Sequence, residues 1–445
     1  MTTKPRTLIA LGSFGAVVLA GGAALFACEG PEGPPGATVF VEGGTLGQPG
    51  PAGPVGPPGP SGLATLDGGT SLTTSCMMPC HGFKGIVDQW KTSTHYFGAI
   101  ANTDEVPTWT GPGPCGNCHS GDGLEQRLAS NVGVAAGFSA PTGLTSGEIN
   151  YKKGAGVGEI NYAGSSKVAI ISCITCHDIS ATNDPHVTGQ NYVAGQFKLR
   201  VKSGPDDQML IEKSPVAGTV NGTPAGKWGV SNTCIACHKS RKDVTNYITA
   251  SNPITSTHWG PHEAPQAEIF SGKGGYHYAG KTFSNSTHQS LAGCASCHMV
   301  DAADNGGFPD HSMRPTIKTC AAAGCHANVT SFDVAGGQGV VKAALGELQG
   351  LLASQGLLTR SATAPYVALA VGDPALSDQR FNLDLTMPGN VITDIQAGAL
   401  YNYLLIAKGS GLGVHNPIYT KELLFDSIEK LKPGNLPPNA IPTRP

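Results

Sequence analysis

The chain has 445 residues, 13 cysteines, 14 histidines and a formal net charge of −3 at pH 7. That balance excludes the strong cationic field on which nucleic-acid binding depends, and the sequence shows no Gly-rich phosphate loop and no Ser-His-Asp order. The cysteine load is also too high for an ordinary cytosolic enzyme, so the first question is the compartment.

Residues 1–27 carry two early cations, Lys4 and Arg6, and then the apolar run "LIALGSFGAVVLAGGAALF", the layout of an export signal. The run stops at "LFAC", which resembles a bacterial lipobox with Cys28 as the lipidated residue; Leu25 and Ala27 fit, and Phe26 is bulkier than usual. A plain signal peptide or an N-terminal membrane helix is the alternative. Each of these readings predicts the cell envelope, and the first predicts an outer-membrane lipoprotein whose domain faces the cell surface, with the periplasmic face as the other option. Unpaired thiols are oxidised in such a compartment, so the cysteines belong in disulfides, metal sites or covalent cofactor links.

Residues 28–70 read as a lipid anchor followed by a tether. "GQPGPAGPVGPPGPSGLA", residues 47–64, places Gly at every third position through six triplets, and "GPEGPPGAT" is a shorter run at 30–38. This is the collagen period. Extended at about 3.1 Å per residue, the segment would hold a domain roughly 100 Å from its anchor. The stalk also allows a homotrimer, but six triplets are few for a triple helix and a membrane-attached monomer is favoured.

From residue 71 the chain changes character. Four pentapeptides, "CGNCH" (Cys115, Cys118, His119), "CITCH" (Cys173, Cys176, His177), "CIACH" (Cys234, Cys237, His238) and "CASCH" (Cys294, Cys297, His298), share one pattern. C-x-x-C-H is the attachment signature of c-type haem. Two thiols form thioethers with the two vinyl groups of one porphyrin, and the next imidazole lies under the iron. A zinc reading needs closed tetrahedral sets and gives no reason for His after every second Cys. With Cys28 set aside, four cysteines remain, in "CMMPCH" (Cys76, Cys80, His81) and "CAAAGCH" (Cys320, Cys325, His326). Each ends in Cys-His, and only that step needs fixed geometry, so the expectation is about six covalent haems c. Two short-loop disulfides are the alternative.

Eight further histidines suffice to give every iron a second axial ligand, which decides between electron transfer and an open substrate position. His95, His186, His288 and His311 are graded as ligands from their nearness to motifs. Between His258 and His262 one is surplus, and His262 is favoured. His277, in "GGYHYAG", reads as a loop residue. His415, in "GLGVHNP", is remote from every motif.

The expected fold is mainly α with much irregular loop, its core built on stacked haems because residues 76–326 are too rich in Gly, Thr, Ser and Asn for an ordinary aliphatic core. After His326, Val341, Leu345, Leu348 and Leu352 recur on one helical face, and further helices are predicted around 391–408 and 418–431. The expected layout is therefore a hexahaem domain at 71–330 and a helical segment at 331–445 that packs on it. The Pro-rich tail "GNLPPNAIPTRP" is expected to be loose.

Residues 75–445 resemble the extracellular multihaem c-type cytochromes of metal-reducing bacteria, with overlap to the nitrite-reductase-like multihaem group. The likeness rests on "QWKTSTHYF", "STHWGPHEAPQAEIFSGKGGY" and "ALYNYLLIAKGSGLGVHNPIYTKELLFDSI". It implies that His415 is a distal ligand reaching back to an early haem. It also implies an electron carrier between other envelope cytochromes, or a porin-cytochrome conduit, and an extracellular acceptor such as a metal oxide, an electrode or another cytochrome. The alternative is a nitrite, hydroxylamine or tetrathionate-type reductase with one iron lacking a distal ligand. The sequence lacks the C-x-x-C-K motif of ammonia-forming nitrite reductases. About twelve propionates would make the loaded protein acidic.

Overall fold

The computed structural model describes residues 80–82, 84–101, 115–128, 151–152, 158–159, 164, 170–179, 198–204, 206–207, 228–240, 242–254, 259–291, 293–300, 308–321, 325–360, 381–383 and 391–445. The signal segment, Cys28, the tether, Cys76, His186 and His258 lie outside the described residues. The described residues belong to one compact unit, Leu72–Pro445.

Three helices carry the apolar core. They are α12 (Gly337–Ser354), α13 (Asp394–Gly409) and α14 (Pro417–Leu431), each packed on the other two. α12 follows the 3.6-residue period, and Val341, Leu345, Leu348 and Leu352 are at most 1% exposed. Each such side chain contributes about 1.5–3 kcal/mol of burial. The helix ends are set locally. Asp333 Oδ1 accepts the backbone N–H of Gln338 and Gly339 ahead of α12, Thr393 and Gln396 form a reciprocal cap at α13, and Asn416 caps α14 with Pro417 in its first turn. α13 is buried on nearly all sides from Ala397 to Ala407.

The helix packing depends on one close approach. A β-carbon on Gly398 would lie 2.1 Å from Cδ1 of Tyr276. Gly398→Ala is therefore expected to cost about 1–3 kcal/mol, read as a lowered denaturation midpoint, because the half-buried Tyr276 ring must shift to admit the added methyl group. Beside it, Asn402 accepts the N–H of Tyr276, and its amide group donates to the carbonyl of Tyr276 and to the hydroxyl of Ser427, so this buried amide is paired at both ends.

Two expectations are corrected. The segment before His326 does bury apolar side chains, most of them aliphatic: Val244, Ile248, Ile254, Trp259 and Ile269 join the core of the three helices, and Leu124, Leu128, Val201, Ile235, Ala236 and Ala267 form a second cluster. Their spacing is irregular because they sit on short pieces, so no long periodic pattern announced them. The C-terminal tail is not loose either. Ile441 is buried, and Arg444 is fastened to Asp426 and Glu422 of α14.

Among the described residues ahead of these helices, α-helix occurs as short segments. They are α1 (Ile86–Lys91), α2 (Thr94–Ala101), α3 (Gly116–His119), α4 (Gly123–Arg127), α5 (Cys173–Cys176), α6 (Asn232–Ile235), α7 (Val244–Tyr247), α8 (Gln266–Ser271), α9 (Thr287–Leu291), α10 (Cys294–His298) and α11 (Ile317–Cys320). Among the described residues, strands occur only as three small antiparallel pairs: Tyr151–Lys152 with Gly158–Glu159, Asn252–Pro253 with Val391–Ile392, and Leu358–Arg360 with Phe381–Leu383.

Candidate metal centres

Each Cys-x-x-Cys-His stretch is one turn of helix, and the turn places its three side chains. The backbone N–H of the histidine closes on the carbonyl of the first cysteine at 3.0 Å for His119 and Cys115, and at 2.8 Å for His177 and Cys173 and for His238 and Cys234. The longer "CAAAGCH" stretch closes in the same way. His326 N–H reaches Cys320 O at 3.0 Å although six positions rather than four separate them.

Five of these histidines face a second histidine from elsewhere in the chain. The ring centroids are 5.9 Å apart for His238 and His95, 6.1 Å for His119 and His262, 6.3 Å for His177 and His311, 6.2 Å for His298 and His415, and 5.9 Å for His326 and His288. Two metal–nitrogen bonds of about 2 Å each, plus the half-widths of two imidazoles, require a centroid separation of about 6 Å. The pairs thus fit an ion held between them.

Hydrogen bonds fix which nitrogen is left to ligate. Nδ1 of His262 meets the Glu263 carbonyl at 3.0 Å, that of His288 the Val414 carbonyl at 2.7 Å, that of His298 the Met313 carbonyl at 3.0 Å and that of His311 the Pro309 carbonyl at 2.7 Å. A carbonyl oxygen only accepts, so Nδ1 carries the proton and the Nε2 lone pair is left for a metal. Four of the rings are also biased toward the neutral, ligating form. Burial, with help from neighbouring histidines, depresses His238 and His415 to about 4, and burial lowers His95 and His311.

Two imidazoles alone do not complete the coordination sphere of a transition metal. Among the described residues, no group of three or more His, Cys, Asp or Glu gathers into a metal cage. A macrocycle would supply the remaining donors, and the cysteines of the same motifs would be its attachment points. The thiols differ in their electrostatics: the hydrogen bond with Cys294 lowers Cys234, while others are raised. Burial pushes Cys176 up to about 12 and raises Cys173 and Cys297, while Cys237 and Cys294 are raised by hydrogen bonding to Cys118 and Cys234 and by burial. The same contacts bring different motifs together, joining Cys118 to Cys237 and Cys234 to Cys294.

The pairing departs from local context. His95, His288 and His311 each face a motif remote from the one nearest in sequence, and the implied reach of His415 to an early site is corrected to His298 of the fifth motif. Of His258 and His262, the second faces His119. His277 stacks on Phe283 at 3.8 Å and bonds the Tyr419 hydroxyl at 2.9 Å, so it is a packing residue. Cys80 and His81 are described, with His81 exposed. Sequence reasoning missed the residues that orient the rings, Met313 and Val414 above all, and Arg127. Arg127 is fully buried and donates to the carbonyls of Gly123 and Ala236 and to the Cys237 sulfur.

No family model matches the chain. Among curated proteins it is 26% identical over 357 residues to the C-type polyheme cytochrome OmcB of Geobacter sulfurreducens, a match covering 73% of this chain and 44% of that protein. It is 27% identical over 236 residues to the C-type polyheme cytochrome OmcC of the same species, covering 46% of this chain and 30% of that one. The chain thus spans less than half the length of these relatives. Among solved structures, the outer cell wall cytochrome OcwA aligns over 78% of this chain and 50% of its own, with a TM-score of 0.40 and 15% identity.

Proposed function

We propose, from the premise that this chain is a multihaem c-type cytochrome of the kind carried by metal-reducing bacteria, that it relays electrons through bis-histidine haems from envelope donors to an acceptor outside the cell. The observation that carries the reading is the set of five histidine pairs, each joining one motif histidine to one remote histidine across about 6 Å. Bound haem c would supply a one-electron iron couple at each pair.

The protein's own residues do the rest. His119, His177, His238, His298 and His326 would be proximal ligands, and His262, His311, His95, His415 and His288 their distal partners, with Cys115, Cys118, Cys173, Cys176, Cys234, Cys237, Cys294, Cys297, Cys320 and Cys325 holding the macrocycles. Cys76, Cys80 and His81 would form a sixth site, whose distal ligand we assign to His186 or His258. Main-chain carbonyls hold four of the rings, His262, His288, His298 and His311, in one tautomer, which limits reorganisation on electron transfer. The thiol contacts of Cys118 with Cys237 and of Cys234 with Cys294 link three of the motifs, which supports the connected group that a relay requires. The outer-surface location, the lipid on Cys28 and the use of a partner cytochrome or porin-cytochrome conduit belong to the same proposal.

The intact mass of the holoprotein, expressed with a full cytochrome c maturation system, tests the count. Six haems are expected, with five in Cys80→Ala and five in Cys325→Ala. Electron paramagnetic resonance should show low-spin ferric centres only. A high-spin centre that binds nitrite or hydroxylamine, together with turnover of that substrate, would replace the relay by the reductase reading.

A further inference from the structure

The segment Pro309–Arg314 touches three of the ring pairs at once. His311 faces His177, and its Nδ1 is held by the Pro309 carbonyl. Two residues on, Met313 has a positive φ of 56°, a conformation that side chains other than glycine and asparagine rarely adopt. That turn points its carbonyl at Nδ1 of His298, 3.0 Å away, while its thioether sulfur lies against Nδ1 of His95. The segment is pinned to the α1–α2 region that carries His95: His311 N–H donates to Gln89 Oε1 at 2.9 Å, and Arg314 Nη2 donates to the Thr92 carbonyl at 2.8 Å.

The two acceptors that Met313 offers differ in strength. A peptide carbonyl is a strong acceptor and a thioether a weak one. An acceptor on Nδ1–H makes an imidazole a more basic ligand, and a more basic ligand favours the oxidised metal. His262, His288, His298 and His311 all have carbonyl acceptors, and His95 has sulfur.

We propose that Met313 is a positioning residue that sets a redox step between neighbouring centres, keeping the His95–His238 site at higher potential than the His298–His415 site so that an electron shared between them rests on the former. The step is a single-electron exchange in which one metal is reduced as the other is oxidised; no bond breaks and no proton moves. The inference rests on the bis-histidine reading above. Haem mass and low-spin spectra test that reading, whereas the shifts below test this one.

The experiment is a potentiometric titration of the holoprotein monitored by electron paramagnetic resonance, comparing wild type, Met313→Gln and Met313→Leu. Glutamine places a carbonyl where the sulfur lies and keeps the main-chain acceptor for His298. One low-spin component is expected to move to lower potential by about tenfold in its electron-sharing equilibrium, which is about 59 mV for a one-electron couple. Leucine removes the weak acceptor and should move the same component about threefold the other way, with the remaining components unchanged in both variants. A uniform movement of all components would show a merely structural role for Met313. No movement in a fully loaded Met313→Gln protein, or in Met313→Leu should the first variant fail to load, would overturn the proposal.

Discussion

Arg444→Ala is expected to destabilise the protein by about 3 kcal/mol, seen as a lower guanidinium midpoint at unchanged haem content. Arg444 Nε and Nη2 hold both oxygens of Asp426, at 2.9 Å and 3.0 Å; Nη1 meets Glu422 Oε1 at 3.2 Å, and Nη2 also donates to the Thr282 carbonyl at 2.6 Å. The guanidinium further lies over the Phe283 ring, 5.0 Å from its centroid. The side chains of the two acids are 0% and 1% exposed, so losing the cation leaves two carboxylates in the interior. Lys281 Nζ still meets Asp426 at 3.3 Å, which places the cost at the lower end of the range for breaking a buried pair. Arg444→Lys should recover only part of it, because a point charge cannot span Asp426 bidentately and reach Glu422 as well. A midpoint unchanged in Arg444→Ala would mean that the tail packs without this clasp.

The clasp illustrates what the sequence could not convey. A Pro-rich tail ending in a lone cation reads as loose, and nothing near Arg444 in the chain signals two acids buried on α14. The Cys-x-x-Cys-His turns were legible because covalent attachment demands a fixed spacing, and the α12 face was legible because 18 residues suffice to show a helical period. Partner choice was not legible. His95 and His288 stand close to motifs in the chain, yet their rings face His238 and His326, since pairing is decided by how short turns pack and not by sequence distance. The ring-orienting groups were hidden for a different reason. Four are main-chain carbonyls, which any residue supplies, and the fifth is the sulfur of Met313, an unremarkable residue in sequence.

Glu268→Gln is expected to remove a pH dependence of stability worth about 3 kcal/mol between pH 4.5 and 7. Glu268 lies on α8 and is fully buried. Its Oε1 accepts the Ser240 N–H at 2.6 Å, and its Oε2 has no hydrogen-bond partner among the described residues. Burial raises its carboxyl from 4.5 to about 7, against the opposing pull of the Ser240 hydrogen bonds and the Lys239 charge. The sign follows from proton counting. Below pH 4.5 both the folded and the unfolded chain hold the proton and the neutral group is tolerated in the core. Between 4.5 and 7 the folded chain keeps a proton that the unfolded chain has released, so stability falls as pH rises, and the loss is complete once the folded group ionises. Glutamine keeps the acceptor for Ser240 and has no charge to bury. Denaturant midpoints of the two holoproteins measured from pH 4.5 to 8 should therefore diverge with rising pH, the variant becoming the more stable. Parallel curves would mean that Lys239 neutralises the carboxylate well enough for it to stay ionised in the folded chain. Because Ser240 stands two residues beyond His238, and Ala267 donates its N–H to the His238 carbonyl at 3.1 Å, this buried acid ties the histidine that faces His95 to the three-helix core.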